Sequence, residues 1–215
     1  MNGDSIEAYL LSLYPEQKDL LKEMEITARQ ENVPIIDTIS LEAVLQLLRV
    51  HNANKVLEIG TAIGYSALRM AKGVKGLTVT TIERDEKRYN QAVEFIARSG
   101  AEDRITMVYG DALEERKKLE EMAPYDVLFI DAAKGQYKNF FTMYTPQLNN
   151  HGIIITDNVL FKGYVTDPEK SPKRMKTMIR KVKEYNEWLI NHPEYTTAIL
   201  PVGDGIAVTT RKESW

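Results

Sequence analysis

Acidic and amide side chains follow two of the predicted strands at the point where each strand ends. Asp131 comes directly after the apolar run 127–130, and Asp157 and Asn158 come directly after the run 152–156. Because the carboxyl ends of parallel strands meet at one edge of a sheet, we expect these side chains to lie close together. Three oxygen ligands suit a hard divalent cation such as Mg²⁺, which keeps its other positions for water and substrate. The alternative is that the two aspartates only cap the helices that follow.

A second set of strand ends predicts a nucleoside pocket. Gly60 and Gly64 follow the first run with the spacing G-x-x-x-G, and Glu83 follows the second run. Glycine lets the backbone turn tightly and approach a ligand, and an acidic residue after the second strand can accept hydrogen bonds from a ribose diol. Asp111 and Ala112 follow the third run, where they can flank an adenine. The spacing differs from G-x-G-x-x-G, which disfavours a dinucleotide-dependent dehydrogenase.

Apolar periodicity predicts the elements that position these residues. Helical patterns fill 1–51, where Leu41, Val44, Leu45 and Leu48 share one face, and we expect two or three helices there. The runs 55–59, 77–82, 105–109, 127–130 and 152–156 then alternate with amphipathic helices, which favours a parallel sheet covered on both faces. A helix is predicted over 173–190, with one apolar side formed by Met175, Met178, Ile179, Val182 and Leu189. The runs 196–200 and 206–210 that follow are joined by a short glycine-containing connection, which predicts an antiparallel hairpin. We expect one domain over 1–215, with 1–51 as a helical extension packed on it.

Composition excludes several classes of protein. The chain has 215 residues, a net charge of -3 and 43% apolar residues, which argues against disorder and coiled coil. It has no cysteine, which rules out disulfides, thiolate zinc sites and a cysteine nucleophile. The three histidines lack metal-ligand spacing. No apolar run approaches the ~20 residues of a membrane span, and the first residues lack a signal-peptide pattern. We therefore expect a cytoplasmic protein without a membrane partner.

Residues 56–66 (VLEIGTAIGYS) resemble the first motif of S-adenosylmethionine-dependent, cation-dependent O-methyltransferases of the catechol and caffeoyl-CoA type. The resemblance covers about residues 25–212. It implies a Rossmann-like class I methyltransferase fold, α/β, with a seven-stranded, mostly parallel sheet, an antiparallel C-terminal hairpin and extra N-terminal helices. It also implies S-adenosylmethionine as cofactor. The cofactor-binding residues that it implies are Ile35, Gly60, Tyr65, Ser66, Glu83, Asp111, Ala112 and Asp131.

The same resemblance assigns roles at the predicted cation site. Asp131, Asp157 and Asn158 match the metal ligands of the family, with Mg²⁺ or another divalent cation as the ion. Lys134 matches a lysine kept near the reacting oxygen, so Lys134 and Asp131 are the implied catalytic residues. Asp204, in the predicted hairpin turn, falls at or near a position that supports this site.

A cation that chelates two adjacent oxygens predicts an ortho-dioxygen acceptor, which both catechols and 5-hydroxyuridine provide. The resemblance is closest to the bacterial branch whose members methylate 5-hydroxyuridine at the wobble position of tRNA, giving 5-methoxyuridine. The segment 168–183 carries seven basic residues and one acid, a net charge of +6, as phosphate docking requires. The RNA-binding residues predicted from it are Lys170, Lys173, Arg174, Lys176, Arg180 and Lys181. Phe161, Tyr164 and Tyr137 are the candidates for base stacking.

Two alternatives to a tRNA enzyme stay open, and the basic run has a simpler explanation. The run could be only a solvated helix face. A small-molecule catechol or phenylpropanoid O-methyltransferase would have the same active site with an apolar acceptor pocket. A cofactor-binding regulatory protein without catalysis is disfavoured, because such a protein need not keep the metal residues and Lys134.

The N-terminal helices carry more apolar surface than docking on a sheet needs. The side chains concerned are Leu10, Leu11, Leu13, Leu20 and Leu21. Members of the family often pair through this region, so the sequence predicts a homodimer.

Overall fold

The computed structural model describes residues 3–212 of the chain. The helices are α1 Gly3–Leu13, α2 Asp19–Gln30, α3 Thr38–Val50, α4 Tyr65–Gly73, α5 Glu86–Ser99, α6 Arg116–Glu120, α7 Tyr137–Tyr144 and α8 Lys176–Ile190. The strands are β1 Lys55–Ile59, β2 Thr78–Glu83, β3 Ile105–Tyr109, β4 Tyr125–Ile130, β5 Leu148–Thr156, β6 Tyr195–Leu200 and β7 Ile206–Arg211. Three helices therefore precede the first strand, as the sequence predicts. No helix within residues 3–212 is long and apolar enough to cross a membrane.

The strands form one sheet in the order β3-β2-β1-β4-β5-β7-β6. Strands β1 to β5 are parallel, whereas β7 is antiparallel to both β5 and β6. Strands β6 and β7 form an antiparallel pair, which confirms the predicted hairpin. Their connection is too short for a parallel crossover. The strand order reverses between β1 and β4, so the helices that follow them, α4 and α7, cover opposite faces of the sheet. Open α/β sheets bind ligands in the crevice at such a point.

Each face of the sheet has its own apolar core, because the parallel strands are buried on both sides. Alternate strand residues such as Val56 and Phe129 pack with α2 to α5, and their neighbours Leu57 and Leu128 pack with α7 and α8. The predicted buried face of α3 is confirmed, since its four apolar residues are at most 2% exposed. Helices α2 and α3 therefore belong to the core of one face.

Helix α8 differs from its sequence pattern at one position. Met178 was expected on the buried side with Ile179 and Val182, but its side chain is 39% exposed. Ile179, Val182 and Leu189 are fully buried and define the stripe that meets the sheet. Met178 precedes Ile179 by one residue, about 100° around the helix, which turns it away from that stripe.

Candidate active site

A cavity of about 1120 Å³ opens at the carboxyl ends of β1, β2, β4 and β5. Its lining includes all of the cofactor, metal and catalytic residues predicted from the sequence. These are Ile35, Gly60, Tyr65, Ser66, Glu83, Asp111, Ala112, Asp131, Lys134, Asp157 and Asn158. The fold thus brings residues from six separate segments to one site, while their individual roles remain predictions.

Gly60, which follows β1, packs closely against the backbone that follows β4. Its φ is +103°, and a Cβ at this position would lie 2.1 Å from the carbonyl oxygen of Asp131. The amide of Asp131 in turn donates to the carbonyl oxygen of Ile59 at 3.0 Å. Only glycine permits this approach, so the loop after β1 and the first predicted cation ligand are packed against each other.

The carboxyl group of Glu58 lies fully buried behind this loop. It accepts hydrogen bonds from the hydroxyls of Ser66 and Thr81, the second at 2.5 Å, and Thr81 contacts the Thr61 hydroxyl at 2.6 Å. Burial raises the pKa of Glu58 to about 8, although the two hydroxyl donors oppose the increase. The Ser66 hydroxyl is therefore engaged by Glu58, a residue that sequence reasoning treated only as part of an apolar strand.

Glu83 is fixed by three backbone amides. One carboxylate oxygen accepts from Ala62 N at 2.9 Å, and the other accepts from Arg84 N at 2.9 Å and Asp85 N at 2.8 Å. A carboxylate has about four lone-pair sites, so one acceptor position remains. Glu83 is thus oriented at the cavity wall before any ligand arrives, as binding of a ribose diol requires.

Asp111 forms the neighbouring wall after β3. Its side chain accepts from Leu113 N at 2.9 Å and from the guanidinium of Arg84 at 3.1 Å. Arg84 is 64% exposed and also lines the cavity, although no sequence signal singled it out. The ion pair holds the Asp111–Ala112 segment in place beside Glu83.

The predicted cation ligands lie at the ends of β4 and β5. Asp157 is fully buried, and its Oδ1 has no hydrogen-bond partner among the residues that the structure describes. Its Oδ2 accepts from the Asn158 amide nitrogen at 3.1 Å. Within residues 3–212 no group of three His, Cys, Asp or Glu side chains could hold a metal, so a cation here would need the Asn158 amide oxygen as a third ligand. A buried carboxylate oxygen without a donor fits a cation, because burial of an uncompensated charge is costly.

The electrostatics of the two aspartates agree with this assignment. Burial raises the pKa of Asp131 to about 6; Lys134 opposes the increase and Asp37 adds to it. Burial also raises the pKa of Asp157 well above its usual range, and the negative charge of Asp131 contributes. A divalent cation would stabilise both carboxylates in their charged form.

Lys134 lies directly at this site. Its Nζ donates to Asn158 Oδ1 at 2.6 Å and lies 5.5 Å from the ring centroid of Phe161. The amine is therefore one hydrogen bond away from the third predicted cation ligand. An acceptor oxygen at the cation site would be within its reach.

Two further carboxylates face the cavity. Asp37 caps α3 by accepting from Ser40 N at 2.9 Å, and Asp204 accepts from the backbone amide of Lys162. Burial raises the pKa of Asp204. Asp37 was missed from the sequence, where the spacing Asp37-x-x-Ser40 indicates only a helix cap.

The predicted RNA-binding residues are mostly exposed on the segment 168–183, and half of them have acidic partners. Lys170 pairs with Asp167 at 3.0 Å, Lys176 with Glu169 at 2.6 Å, and Arg180 with Glu184 at 3.6 Å. Asp167 and Glu184 lie just outside the stretch whose charge was counted, so its local excess of positive charge is smaller than the count suggests.

Lys173 and Arg174 are also exposed. The Lys181 side chain lies against Gly135, the residue after Lys134. A Cβ at Gly135 would lie 3.2 Å from Lys181 Nζ. Tyr137 cannot stack a base, which corrects that prediction: it is fully buried and donates to the Asp157 carbonyl oxygen. Phe161 and Tyr164 are half-buried, with ring centroids 6.4 Å apart.

The strand order, with β7 antiparallel between β5 and β6, is that of the class I methyltransferase fold. The sequence model of a family described as O-methyltransferase matches residues 11–212. The chain belongs to this family.

Named relatives and solved structures agree with this membership. The caffeoyl-CoA O-methyltransferase of Medicago sativa is 28% identical and aligns over 98% of this chain and 90% of its own. A Staphylococcus aureus structure, provisionally assigned as a caffeoyl-CoA O-methyltransferase, is 40% identical and has a TM-score of 0.88. The match covers 95% of this chain and 98% of that one. The Bacillus cereus O-methyltransferase, solved in complex with S-adenosylhomocysteine, is 25% identical with a TM-score of 0.82 and 97% coverage of both chains.

Proposed function

We propose that this O-methyltransferase moves the methyl group of S-adenosylmethionine to one of two adjacent oxygens of a small catechol-type acceptor, with a divalent cation. The observation that carries the proposal is the buried Oδ1 of Asp157, which has no partner within residues 3–212 and lies with Asp131 and Asn158 in the same cavity as Glu83. The complex of the Bacillus cereus relative with S-adenosylhomocysteine supports the donor. The relatives named for caffeoyl-CoA support the acceptor, because a caffeoyl group carries two adjacent phenolic hydroxyls.

The residues of the cavity have different roles in the proposed reaction. Glu83 would use its remaining acceptor position for a ribose hydroxyl, and Asp111 with Ala112 would border the adenine. The sulfonium supplies an activated methyl group, and the cation supplies a lower pKa for the acceptor hydroxyl and a fixed direction for its oxygen. Lys134 Nζ would receive the proton of the acceptor hydroxyl as its oxygen takes the methyl group and S-adenosylhomocysteine leaves. The Phe161 ring lies beside this nitrogen, with its centroid 5.5 Å from Nζ.

A second acceptor, 5-hydroxyuridine in tRNA, is favoured by one feature of the surface. Its 5-hydroxyl lies beside the O4 carbonyl, which gives the same chelating geometry. Within residues 3–212, Lys173, Arg174 and Lys181 form no ion pair, and Lys181 lies beside the turn that carries Lys134. We rank this acceptor second, because the named relatives include caffeoyl-CoA enzymes and the other basic residues of the segment are partly neutralised.

A competition assay tests the choice of acceptor. The purified protein receives labelled S-adenosylmethionine, Mg²⁺, and equal amounts of caffeoyl-CoA and tRNA that bears 5-hydroxyuridine. We expect label in the phenolic product, and none with the Asp157→Ala variant. Label in tRNA alone would contradict the small-molecule assignment, and label in neither would contradict both acceptors.

Charge reversal of the basic segment provides a second test. Lys173→Glu with Arg174→Glu should leave methylation of the small acceptor unchanged, because neither residue lines the cavity. If tRNA is the acceptor, the change should instead weaken tRNA binding strongly at low salt, since each phosphate contact contributes roughly 0.7 to 0.9 to the salt slope. Lys117→Glu with Lys118→Glu, on the exposed side of α6, is the matched control.

A homodimer is also part of the proposal, and its support lies on α1. Ile6, Tyr9, Leu11 and Leu13 are between 44% and 63% exposed. Leu20 and Leu21 are half-buried against the core and so contribute less to such a surface than the sequence suggested.

A further inference from the structure

The turn after β5 carries two of the three predicted cation ligands and has an uncommon backbone conformation. Asn158 has a φ of +57°, in the left-handed region that residues other than glycine seldom adopt. Such a conformation persists only where the surrounding structure holds it. Because a cation needs its ligand oxygens placed within a few tenths of an ångström, the groups that hold this turn bear directly on cation affinity.

Helix α7 holds the turn at Asp157. The hydroxyl of Tyr137 donates to the Asp157 carbonyl oxygen at 3.0 Å. Tyr137 is fully buried, and its ring packs edge-on against Tyr185 with centroids 5.3 Å apart. The hydroxyl is therefore fixed in position and directed at the backbone of a cation ligand.

Helix α8 holds the same turn on either side of the ligands. The hydroxyl of Tyr185 lies 2.9 Å from the Thr156 hydroxyl, and the Asn186 amide nitrogen donates to the Val159 carbonyl oxygen at 2.7 Å. The other amide atom, Asn186 Oδ1, is buried without a partner among the described residues. A buried oxygen without a donor is costly, and the hydrogen bond to Val159 is what the Asn186 amide contributes to the turn.

We propose that Tyr137, Tyr185 and Asn186 are positioning residues for the cation site. They bond to residues 157, 156 and 159 respectively, and thus to the ligand-bearing turn on both sides of Asn158. None of them contributes a ligand atom. Their effect is to keep Asp157 and Asn158 in the geometry that binds the ion, and the inference rests on the proposed cation dependence.

Tyr137→Phe tests the inference and has a close control in Tyr125→Phe. Both tyrosines are fully buried, and each donates one hydrogen bond to a backbone carbonyl, for Tyr125 that of Leu119 at 2.8 Å. Tyr125 is the first residue of β4, whereas Asp131 follows the last residue of that strand. The two changes therefore remove the same atom from two buried tyrosines, one near the cation site and one far from it.

The measurement is Mn²⁺ binding by calorimetry to the protein saturated with S-adenosylhomocysteine, with S-adenosylhomocysteine affinity measured separately. Tyr137→Phe should weaken Mn²⁺ binding about tenfold, as loss of groups that orient metal ligands does, and leave S-adenosylhomocysteine affinity unchanged. Tyr125→Phe should bind Mn²⁺ like the wild type. Asn186→Leu, which removes the amide and keeps the number and branching of the heavy side-chain atoms, should repeat the effect of Tyr137→Phe. It replaces that variant if Tyr137→Phe fails to fold.

The possible outcomes distinguish the positioning role of these residues from the proposed cation function. Equal Mn²⁺ affinity in wild type, Tyr137→Phe and Asn186→Leu would overturn the positioning role and leave the cation function intact. Equal weakening by Tyr137→Phe and Tyr125→Phe would also overturn it, because the effect would then follow stability. Absence of Mn²⁺ binding to the wild type, or unchanged binding in Asp157→Ala, would overturn the cation function and this inference together.

Discussion

Replacement of Glu58 by glutamine should stabilise the protein at neutral pH. The carboxyl group is fully buried, and its pKa is raised to about 8 from an ordinary value of 4.5, first by burial and further by the charges of Asp131 and Glu83. The hydrogen bonds from Ser66 and Thr81 only partly offset this. Glutamine has nearly the same shape and stays neutral at every pH. Its amide can accept from one hydroxyl and donate to the other.

The magnitude follows from proton linkage. Between pH 4.5 and 8 the native protein keeps a proton on Glu58 that the unfolded chain has released, so the free energy of unfolding falls as pH rises through this window. Each pH unit costs roughly 1.4 kcal/mol. At pH 7, Glu58 therefore lowers the free energy of unfolding by about 3 kcal/mol relative to a neutral side chain, and above pH 8 the cost is constant.

The assay is urea unfolding of wild type and Glu58→Gln at pH 5, 6, 7 and 8. The two proteins should be similar near pH 5, and the variant should gain about 3 kcal/mol by pH 7. Glu114→Gln, which changes an exposed carboxyl group, should follow the wild type at every pH. Parallel curves for wild type and Glu58→Gln would show that the buried carboxyl group does not hold the extra proton.

Two further predictions concern the cofactor and the oligomeric state. Glu83→Ala removes the acceptor of three backbone amides and should weaken S-adenosylhomocysteine binding by about 1–3 kcal/mol in calorimetry; unchanged affinity would contradict its role. Light scattering at micromolar concentration should give about twice the chain mass of 24.6 kDa, and Leu13→Glu should shift it toward one chain. A single-chain mass for the wild type would contradict the dimer.

The sheet could be predicted closely because the apolar runs are short and bounded. Strand β1 has the predicted limits, Lys55–Ile59, and β3 has those of its run, Ile105–Tyr109. Once parallel order is inferred, residues that follow successive strands must gather at one edge, which is why the predicted site residues share a cavity.

Other features could not be predicted because they depend on contacts between distant segments. The network around Glu58 needs Ser66 and Thr81 from two other elements, whereas the sequence shows only a charged residue in an apolar strand. Tyr137 was wrongly predicted as a base-stacking residue. Its burial beside α8 depends on packing between distant segments, which the local sequence pattern does not show. Met178 lies at the edge of the apolar stripe of α8, where helical periodicity alone does not decide between core and surface.

The cation requirement can be measured by methyl transfer from labelled S-adenosylmethionine to a catechol acceptor, with Mg²⁺ and with excess chelator, while S-adenosylhomocysteine affinity is followed in both conditions. Because the amides of residues 62, 84 and 85 fix Glu83, without Asp131, Asp157 or Asn158, chelation should abolish transfer and leave S-adenosylhomocysteine binding largely intact. Asp157→Ala should reproduce this result in the presence of Mg²⁺. Full transfer in excess chelator, or full activity of Asp157→Ala, would contradict the cation-dependent mechanism.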